Sequence, residues 1–169
     1  MTEDALDIRP VGGQDAGELL TLRRAAFVTE AQVYGDPNIP PLTQTLDELR
    51  EDLRAVGVIT LGAWRGHRLV GSIRVLVEGT KATLGRFAVA PDLQGQGVGT
   101  QLLLAVVPYL SEGVEEIWVF TGRDSVHNIA MYANQGYERQ EDRTAGDLTY
   151  AYLRKIVGDD ADAPSDQPA

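Results

Sequence analysis

The most informative stretch of this 169-residue sequence reads Val89-Ala90-Pro91-Asp92-Leu93-Gln94-Gly95-Gln96-Gly97-Val98-Gly99-Thr100. It joins a β-rich run at 82–90 to an apolar run at 98–110 whose spacing is typical of a helix. Glycines at alternate positions leave the backbone N–H groups unshielded, and the start of the helix adds the positive end of its dipole. The stretch therefore predicts an anion site between a strand and a helix, with a phosphorylated cofactor as its ligand.

Other phosphate-binding patterns space their residues differently. The dinucleotide fingerprint needs glycine at its first, third and sixth positions, but the sixth position counted from Gly95 is Thr100. The nucleotide-triphosphatase loop needs lysine followed by serine or threonine, whereas Gly99 is followed by Thr100 and Gln101. A plain helix cap explains one or two glycines better than three in five positions. The spacing thus disfavours a nicotinamide or flavin cofactor and ATP hydrolysis.

Apolar periodicity divides residues 6–156 into runs in the order β α α β β β α β α β β. Strands are predicted at 6–10, 58–64, 68–78, 82–90, 116–121, 137–141 and 148–156. Helices are predicted around Leu19 to Phe27 and at 45–55, 98–110 and 126–134, with an irregular Pro-rich stretch at 33–42 and a hairpin turn at 65–67. We expect one domain over residues 1–157, and a disordered acidic tail at 158–169 because that segment lacks large apolar side chains.

Composition and charge narrow the function classes. The formal net charge of -10 opposes nucleic-acid phosphates, so we expect no nucleic-acid partner. The sequence has no cysteine, which excludes disulfides, thiolate metal sites and a cysteinyl intermediate. Its first residues lack the basic and apolar regions of a signal peptide, and no apolar run is long enough to span a membrane. These features predict a cytoplasmic protein with no membrane association.

Two motifs in the expected order carry a resemblance to a known family. The segment Gln94-x-x-Gly97-x-Gly99 resembles the Gln/Arg-x-x-Gly-x-Gly/Ala motif of the GNAT superfamily of N-acetyltransferases. The later segment from Ser125 to Tyr132, followed by Gly136-Tyr137, is similar to the family helix that carries a tyrosine four residues before Gly-Phe/Tyr. The resemblance covers residues 6–156. It implies an α/β (α+β) fold with a mixed, mostly antiparallel sheet of six to seven strands and about four helices.

The resemblance also implies acetyl-CoA as co-substrate and a set of residues that bind it. The sheet is expected to splay between the strands ending near Val89 and Phe120, with the pantetheine arm in the opening. Backbone groups would bind the pantetheine and the pyrophosphate, and two side chains of the later helix would reach the pantetheine or thioester. The implied cofactor-binding residues are Phe87, Ala88, Val89, Gln94, Gly95, Gln96, Gly97, Val98, Gly99, Thr100, Ser125, Asn128 and Tyr132.

The implied reaction is direct attack of a primary amine on the thioester, with Tyr132 as the proton donor to the leaving thiolate. Many relatives carry a glutamate base at the strand position held here by Gly85, so the base is unassigned. Glu30, at the end of the first helix beside the irregular loop, is the candidate to accept a proton or to bind the ammonium group of the substrate, and Tyr34 is a second candidate substrate-binding residue. Glu78 and His67 are further candidates for the base.

Several alternatives stay open. The missing acid at Gly85 favours a non-catalytic acyl-CoA binding or sensing module, whereas Tyr132 favours an enzyme. His67 and His127 form no metal-spaced cluster with carboxylates, so no metal is expected. The acceptor amine is small, an amino acid, an antibiotic or a protein N-terminus. The strands after Gly136 pair within the chain or help to form a homodimer.

Overall fold

The computed structural model of the chain describes residues 5–158. The predicted tail at 158–169 lies outside these residues except for Gly158, and the boundary of a domain over 1–157 stays a prediction. The strands are β1 Asp7–Pro10, β2 Val58–Arg65, β3 Arg68–Glu78, β4 Lys81–Val89, β5 Glu116–Gly122, β6 Glu138–Arg139, β7 Arg143–Ala145 and β8 Leu148–Ile156. The helices are α1 Ala16–Ala26, α2 Val28–Tyr34, α3 Pro40–Thr43, α4 Leu46–Arg54, α5 Val98–Tyr109 and α6 Val126–Asn134.

One mixed sheet contains all eight strands, in the order β1-β2-β3-β4-β5-β8-β6, with β7 also paired to β8. Strands β4 and β5 run in parallel where 81–83 pair with 116–118. The pairs β1/β2, β5/β8, β6/β8 and β7/β8 are antiparallel. The predicted α/β fold with a mixed, mostly antiparallel sheet is therefore confirmed. No helix in the described range is long and apolar enough to cross a membrane.

The described residues fall into two compact units, 5–75 with 86–109 and 76–85 with 110–158. The core of the first unit includes the fully buried side chains of Leu19, Leu49, Leu61, Ile73 and Leu102. The second unit has its own core, in which Ala82, Ile117, Val119, Tyr137 and Leu153 are buried. Burial of this apolar surface drives each unit to fold, at about 25 cal/mol per Å².

Helix α4 and strand β3 follow the sequence pattern closely, whereas the stretch at 33–42 does not. The capping box at Thr45 and Glu48 starts α4, because each side chain accepts from the backbone N–H of the other residue. The expectation of irregular structure at 33–42 was wrong in part, since α2 runs to Tyr34 and α3 begins at Pro40. Proline suits the first turn of a helix, where its missing N–H costs no hydrogen bond.

The strands after Gly136 also differ in detail from the expectation. The predicted strand at 137–141 is only Glu138–Arg139, and β7 adds a hairpin with β8 that the periodicity did not indicate. Arg143, Thr144 and Ala145 are all exposed, so β7 has no apolar alternation to reveal it. Strands β6 and β7 both pair with β8 of the same chain.

Gly71 in β3 sets how closely α5 approaches the sheet. A Cβ at this position would lie 2.8 Å from Leu102 Cδ1, 2.8 Å from Val98 Cγ1 and 3.4 Å from the carbonyl oxygen of Ala88. Val98 and Leu102 are themselves buried, so neither side chain can move away without disturbing the core. The absence of a side chain at Gly71 therefore fixes the start of α5 against β3.

Gly71→Ala is expected to lower the free energy of unfolding by about 1–3 kcal/mol, because the added methyl group overpacks this contact. Gly17→Ala is the matched control, since Gly17 is an exposed helical residue and a Cβ there meets nothing within 4 Å. The control should stabilise the protein by about 0.5–1 kcal/mol. Urea unfolding of both variants measures the difference. Equal stability of the two variants would contradict the proposed close approach.

Candidate functional site

The loop that joins β4 to α5 has a backbone that only glycine adopts readily. After a single 3-10 turn at Pro91–Leu93, Gly95 has φ 77° and Gly97 has φ 87°. Both values lie in the left-handed region, which costs other L-residues roughly 1–2 kcal/mol. Both glycines are exposed, and a Cβ on either would meet nothing within 4 Å. The glycines are thus required by conformation, and the space beside them is open.

The amide groups of this loop point to an anion ligand. The N–H groups of Gly95, Gln96 and Gly97 donate no hydrogen bond to another described residue. Helix α5 begins directly afterwards, since the N–H of Gln101 donates to the carbonyl oxygen of Gly97 over 3.1 Å. The first turn of a helix leaves further N–H groups without intrahelical acceptors and carries the positive end of the dipole. This set of donors fits a pyrophosphate.

Neighbouring side chains hold the loop in place. Buried Leu93 anchors the 3-10 turn, and buried Val98 anchors the first residue of α5. Asp92 is the one carboxylate between Val89 and Thr100, and it accepts two hydrogen bonds from Arg68, at 2.7 and 2.8 Å. These hydrogen bonds lower the pKa of Asp92. Because Arg68 neutralises this carboxylate, Asp92 does not oppose an anion at the loop.

The remaining predicted residues of the first unit flank the loop. Ala88 is buried, whereas Phe87 and Val89 are half-buried at the end of β4. The Gln94 side-chain amide donates to the Val89 carbonyl oxygen at 3.5 Å, which is the outer limit of a hydrogen bond. Within α5, Gly99 and Thr100 are half-buried in the first turn, and exposed Gln96 precedes it.

The second unit contains Ser125, Asn128 and Tyr132. Ser125 precedes the first residue of α6, and its side chain makes no capping hydrogen bond. The Asn128 amide donates to Thr121 Oγ1 over 3.4 Å. Tyr132 is 4% exposed, and its ring meets Tyr137 edge-on with a centroid separation of 6.0 Å. Packing against Tyr137 therefore restricts the orientation of the Tyr132 ring.

Tyr137 differs from Tyr132 in its polar environment. Its hydroxyl group is buried and has no hydrogen-bond partner among the described residues. Burial raises the pKa of Tyr137 above its ordinary value. Burying a hydroxyl group without a partner lowers the free energy of unfolding by about 1–3 kcal/mol. Tyr137 therefore stabilises the fold through the packing of its aromatic ring and not through its hydroxyl group.

Both predicted substrate-binding residues lie on α2 in the first unit. Glu30 and Tyr34 are half-buried, and they are one turn apart on the helix. Burial raises the pKa of Glu30, while the nearby positive charge of Arg86 opposes that rise. Glu30 is therefore a partly desolvated carboxylate that lies close to an arginine.

Comparisons with known proteins identify the family and the fold. The family model described as the acetyltransferase (GNAT) family matches residues 22–137, well over half of the chain. The chain belongs to the GNAT family. Among solved structures, the PaiA N-acetyltransferase of Thermoplasma acidophilum, in complex with coenzyme A, superposes with a TM-score of 0.78 at 20% identity. That superposition covers 90% of this chain and 99% of the other, and it shows the shared fold.

Two curated relatives are similar to this chain over only part of their own length. A UPF0157 protein, YqkA of Bacillus subtilis, is 26% identical over 75% of this chain and 35% of its own. A mycothiol acetyltransferase of Pseudarthrobacter chlorophenolicus is 27% identical over 80% of this chain and 43% of its own. The chain thus spans less than half the length of these relatives.

At Gly85, where the resemblance to the GNAT family implies a glutamate base, the chain has no side chain, and the residue is half-buried in β4. A Cβ at this position would meet nothing within 4 Å, so packing does not exclude a side chain. Glu78 and His67, the other candidates for the base, are both exposed. The described residues contain no group of three or more His, Asp or Glu side chains arranged to hold a metal ion.

The sequence did not identify a group of charged residues in the first unit of this GNAT domain. Three arginines interact with two carboxylates from different elements, and these residues are Arg23, Arg74, Arg86, Asp52 and Glu30. We name them the arginine cluster. One signal was available for Arg23, because it lies four residues after Leu19 and so on the buried face of α1. The other members lie too far apart in the sequence for any pattern to predict that they interact.

Proposed function

We propose that this GNAT chain is an acetyl-CoA-dependent N-acetyltransferase that transfers the acetyl group directly to a primary amine. The observation that carries the proposal is the loop at 94–100, where two left-handed glycines present three N–H groups that donate to no other described residue, at the start of α5. Such a donor set fits the pyrophosphate of coenzyme A. The names of the acetyltransferase relatives support the same reaction class.

In this proposal, the bound cofactor supplies an activated acyl thioester, and the chain positions it. The amides from Gly95 to Thr100 hold the pyrophosphate, and the backbone at Val89 polarises the thioester carbonyl. Phe87 and Ala88 add backbone contacts to the pantetheine, which Ser125 and Asn128 also contact. The Tyr132 hydroxyl group gives a proton to the departing thiolate. No covalent intermediate with the protein is needed, because the amine attacks the thioester directly once its ammonium form has lost a proton. The further proton that the nitrogen loses when the amide forms goes to Glu30 or to solvent, and Tyr132 regains its proton from solvent.

Calorimetric titration of the purified chain with acetyl-CoA tests the proposal, combined with thiol release over a panel of amines. Micromolar binding and acceptor-dependent thiol release are expected. Binding without release on any amine would favour the non-catalytic acyl-CoA module instead. No binding of acetyl-CoA, with binding of free nucleotides retained, would reduce the loop to a general phosphate site.

Glu30→Gln should raise the KM for amine acceptors by about 10-fold, because the carboxylate on α2 is partly desolvated and would pair with the substrate ammonium. Glu51→Gln is the matched control, since Glu51 is exposed on α4. Initial rates at varied acceptor concentration measure the effect. An unchanged KM in Glu30→Gln would remove Glu30 from the acceptor site.

A further inference from the structure

The arginine cluster contains a guanidinium group that is almost completely buried. Arg23 on α1 is 1% exposed, and no described residue accepts a hydrogen bond from Nε, Nη1 or Nη2. Isolated buried charges are strongly unfavourable in proteins unless an opposite charge compensates them. The burial of the charged Arg23 side chain therefore needs an explanation, because the described residues of its unit supply no hydrogen-bond acceptor for it.

The other charges of the cluster do not compensate Arg23. Arg74 donates to both carboxylate oxygens of Asp52, at 2.8 and 2.7 Å, so that pair is internally satisfied. Arg86 and Glu30 make no side-chain hydrogen bond to another described residue. Three arginines against two carboxylates leave one positive charge in excess. This excess is notable in a chain whose formal net charge is -10.

The ionisation of the cluster is consistent with this excess. The pKa of Arg23 is lowered to about 10, first by burial and then by the charge of Arg86, while the charge of Asp52 raises it and that of Arg74 lowers it. Burial also lowers the pKa of Arg86, as does the charge of Arg74. An additional negative charge beside these two arginines would reverse both shifts.

The backbone at Arg86 supplies an independent observation. Arg86 has φ 48°, and no other described residue besides glycine has a positive φ. Left-handed backbone at a non-glycine residue costs about 1–3 kcal/mol and is concentrated at functional sites. Arg86 is half-buried, unlike Arg23, and it directly precedes Phe87, so it lies next to the segment assigned to the pantetheine in the proposed function.

We propose that the acceptor amine carries a carboxylate, which binds the arginine cluster through Arg86 and compensates the buried charge of Arg23. Arg23 acts as a positioning residue behind the contact, and Glu30 receives the ammonium group of the same acceptor. The substrate class is therefore a free amino acid or a related amine with a free carboxylate. This inference rests on the proposed acetyltransferase activity, since it names the acceptor of that reaction.

The test compares free amino acids with their C-terminal amides as acceptors, using thiol release by the full chain. The free acids should have kcat/KM values about 10- to 100-fold higher, as expected for charge-assisted hydrogen bonds. Arg86→Gln should remove this preference by raising KM, and acetyl-CoA affinity should not change. Arg50→Gln is the matched control, because Arg50 is exposed on α4 and outside the cluster.

A second variant separates the role of Arg23 from a structural one. Arg23→Met should raise Tm by a few degrees, because methionine removes an uncompensated buried charge, and should still lose the preference for free acids. A lower Tm together with a retained preference for free acids would show that Arg23 is only a structural residue. Arg24→Met, a change at the exposed neighbour, should leave the preference unchanged.

Different outcomes overturn the two proposals separately. If acetyl-CoA binds but amides are acetylated as well as free acids, the inference about the acceptor is wrong and the acetyltransferase proposal stands. If acetyl-CoA does not bind, the acetyltransferase proposal fails. In that case, melting curves with alanine and with alaninamide decide the carboxylate site. A Tm rise with the free acid alone, lost in Arg86→Gln, supports the site, and equal curves overturn it.

Discussion

Replacing Gly97 by glutamate is expected to weaken acetyl-CoA binding at least about 100-fold. The side chain would enter the open space beside the loop, where the N–H groups of Gly95 to Gly97 have no partner among the described residues. A carboxylate there repels the pyrophosphate and competes for its donors, and each charged hydrogen bond lost costs about 1.5–3 kcal/mol. Calorimetric titration with acetyl-CoA measures the change in Kd.

Gly97→Ala is the control for backbone strain. Alanine also suffers at φ 87°, but its methyl group meets nothing within 4 Å and carries no charge. It should lower stability by roughly 1–2 kcal/mol and weaken acetyl-CoA binding less than about 10-fold. If alanine and glutamate weaken binding equally, strain in the loop explains the loss and the amides of Gly97 and its neighbours are not the pyrophosphate site.

Tyr132→Phe should lower kcat by about 100-fold or more while leaving the Kd of acetyl-CoA within about threefold. The change removes the proposed proton donor and keeps the buried ring that packs against Tyr137. General acid catalysis typically contributes about 10²–10⁴-fold to rate. Pre-steady-state thiol release, measured at saturating acceptor, reports the chemical step directly. An unchanged kcat would exclude Tyr132 from the mechanism.

Tyr137→Phe is a closely matched control, because the two tyrosines are in contact and only the hydroxyl group is removed in each case. The Tyr137 hydroxyl group is buried and has no partner in the part of the chain that the structure describes, so its removal should stabilise the protein by about 1 kcal/mol. Activity should stay close to that of the unmodified chain. A similar loss of kcat in both variants would indicate a packing effect common to the tyrosine pair.

The sequence predicted most of the strands and the longer helices because their signals are local. Alternation and apolar runs located β3 and β8 at their observed bounds, and helical spacing at 45–55 located α4 to within one residue at each end. Sequence patterns did not predict elements that form only by pairing with another element of the fold. Exposed β7 forms because β8 offers a free edge, and this edge is not visible in the sequence of β7.

The sequence also determined the chemistry of the loop between β4 and α5. Glycine spacing requires the left-handed conformations at Gly95 and Gly97, and the apolar run that follows begins a helix whose dipole points at the loop. The motif on α6 indicated Tyr132 in the same way. These features are local, because backbone conformation and helix position depend on residues within a few positions of one another.

Only the tertiary structure identified the arginine cluster. Its members lie on α1, α2, α4, β3 and β4. Each is an arginine or a carboxylate, which are residue types that commonly lie on the protein surface. Packing of the helices against the sheet buries Arg23, commits Asp52 to Arg74 and leaves Arg86 with Glu30 near an uncompensated charge. Charge compensation depends on burial and on distances between remote residues. The sequence therefore predicted a cofactor site, whereas the inference that the acceptor carries a carboxylate required the fold.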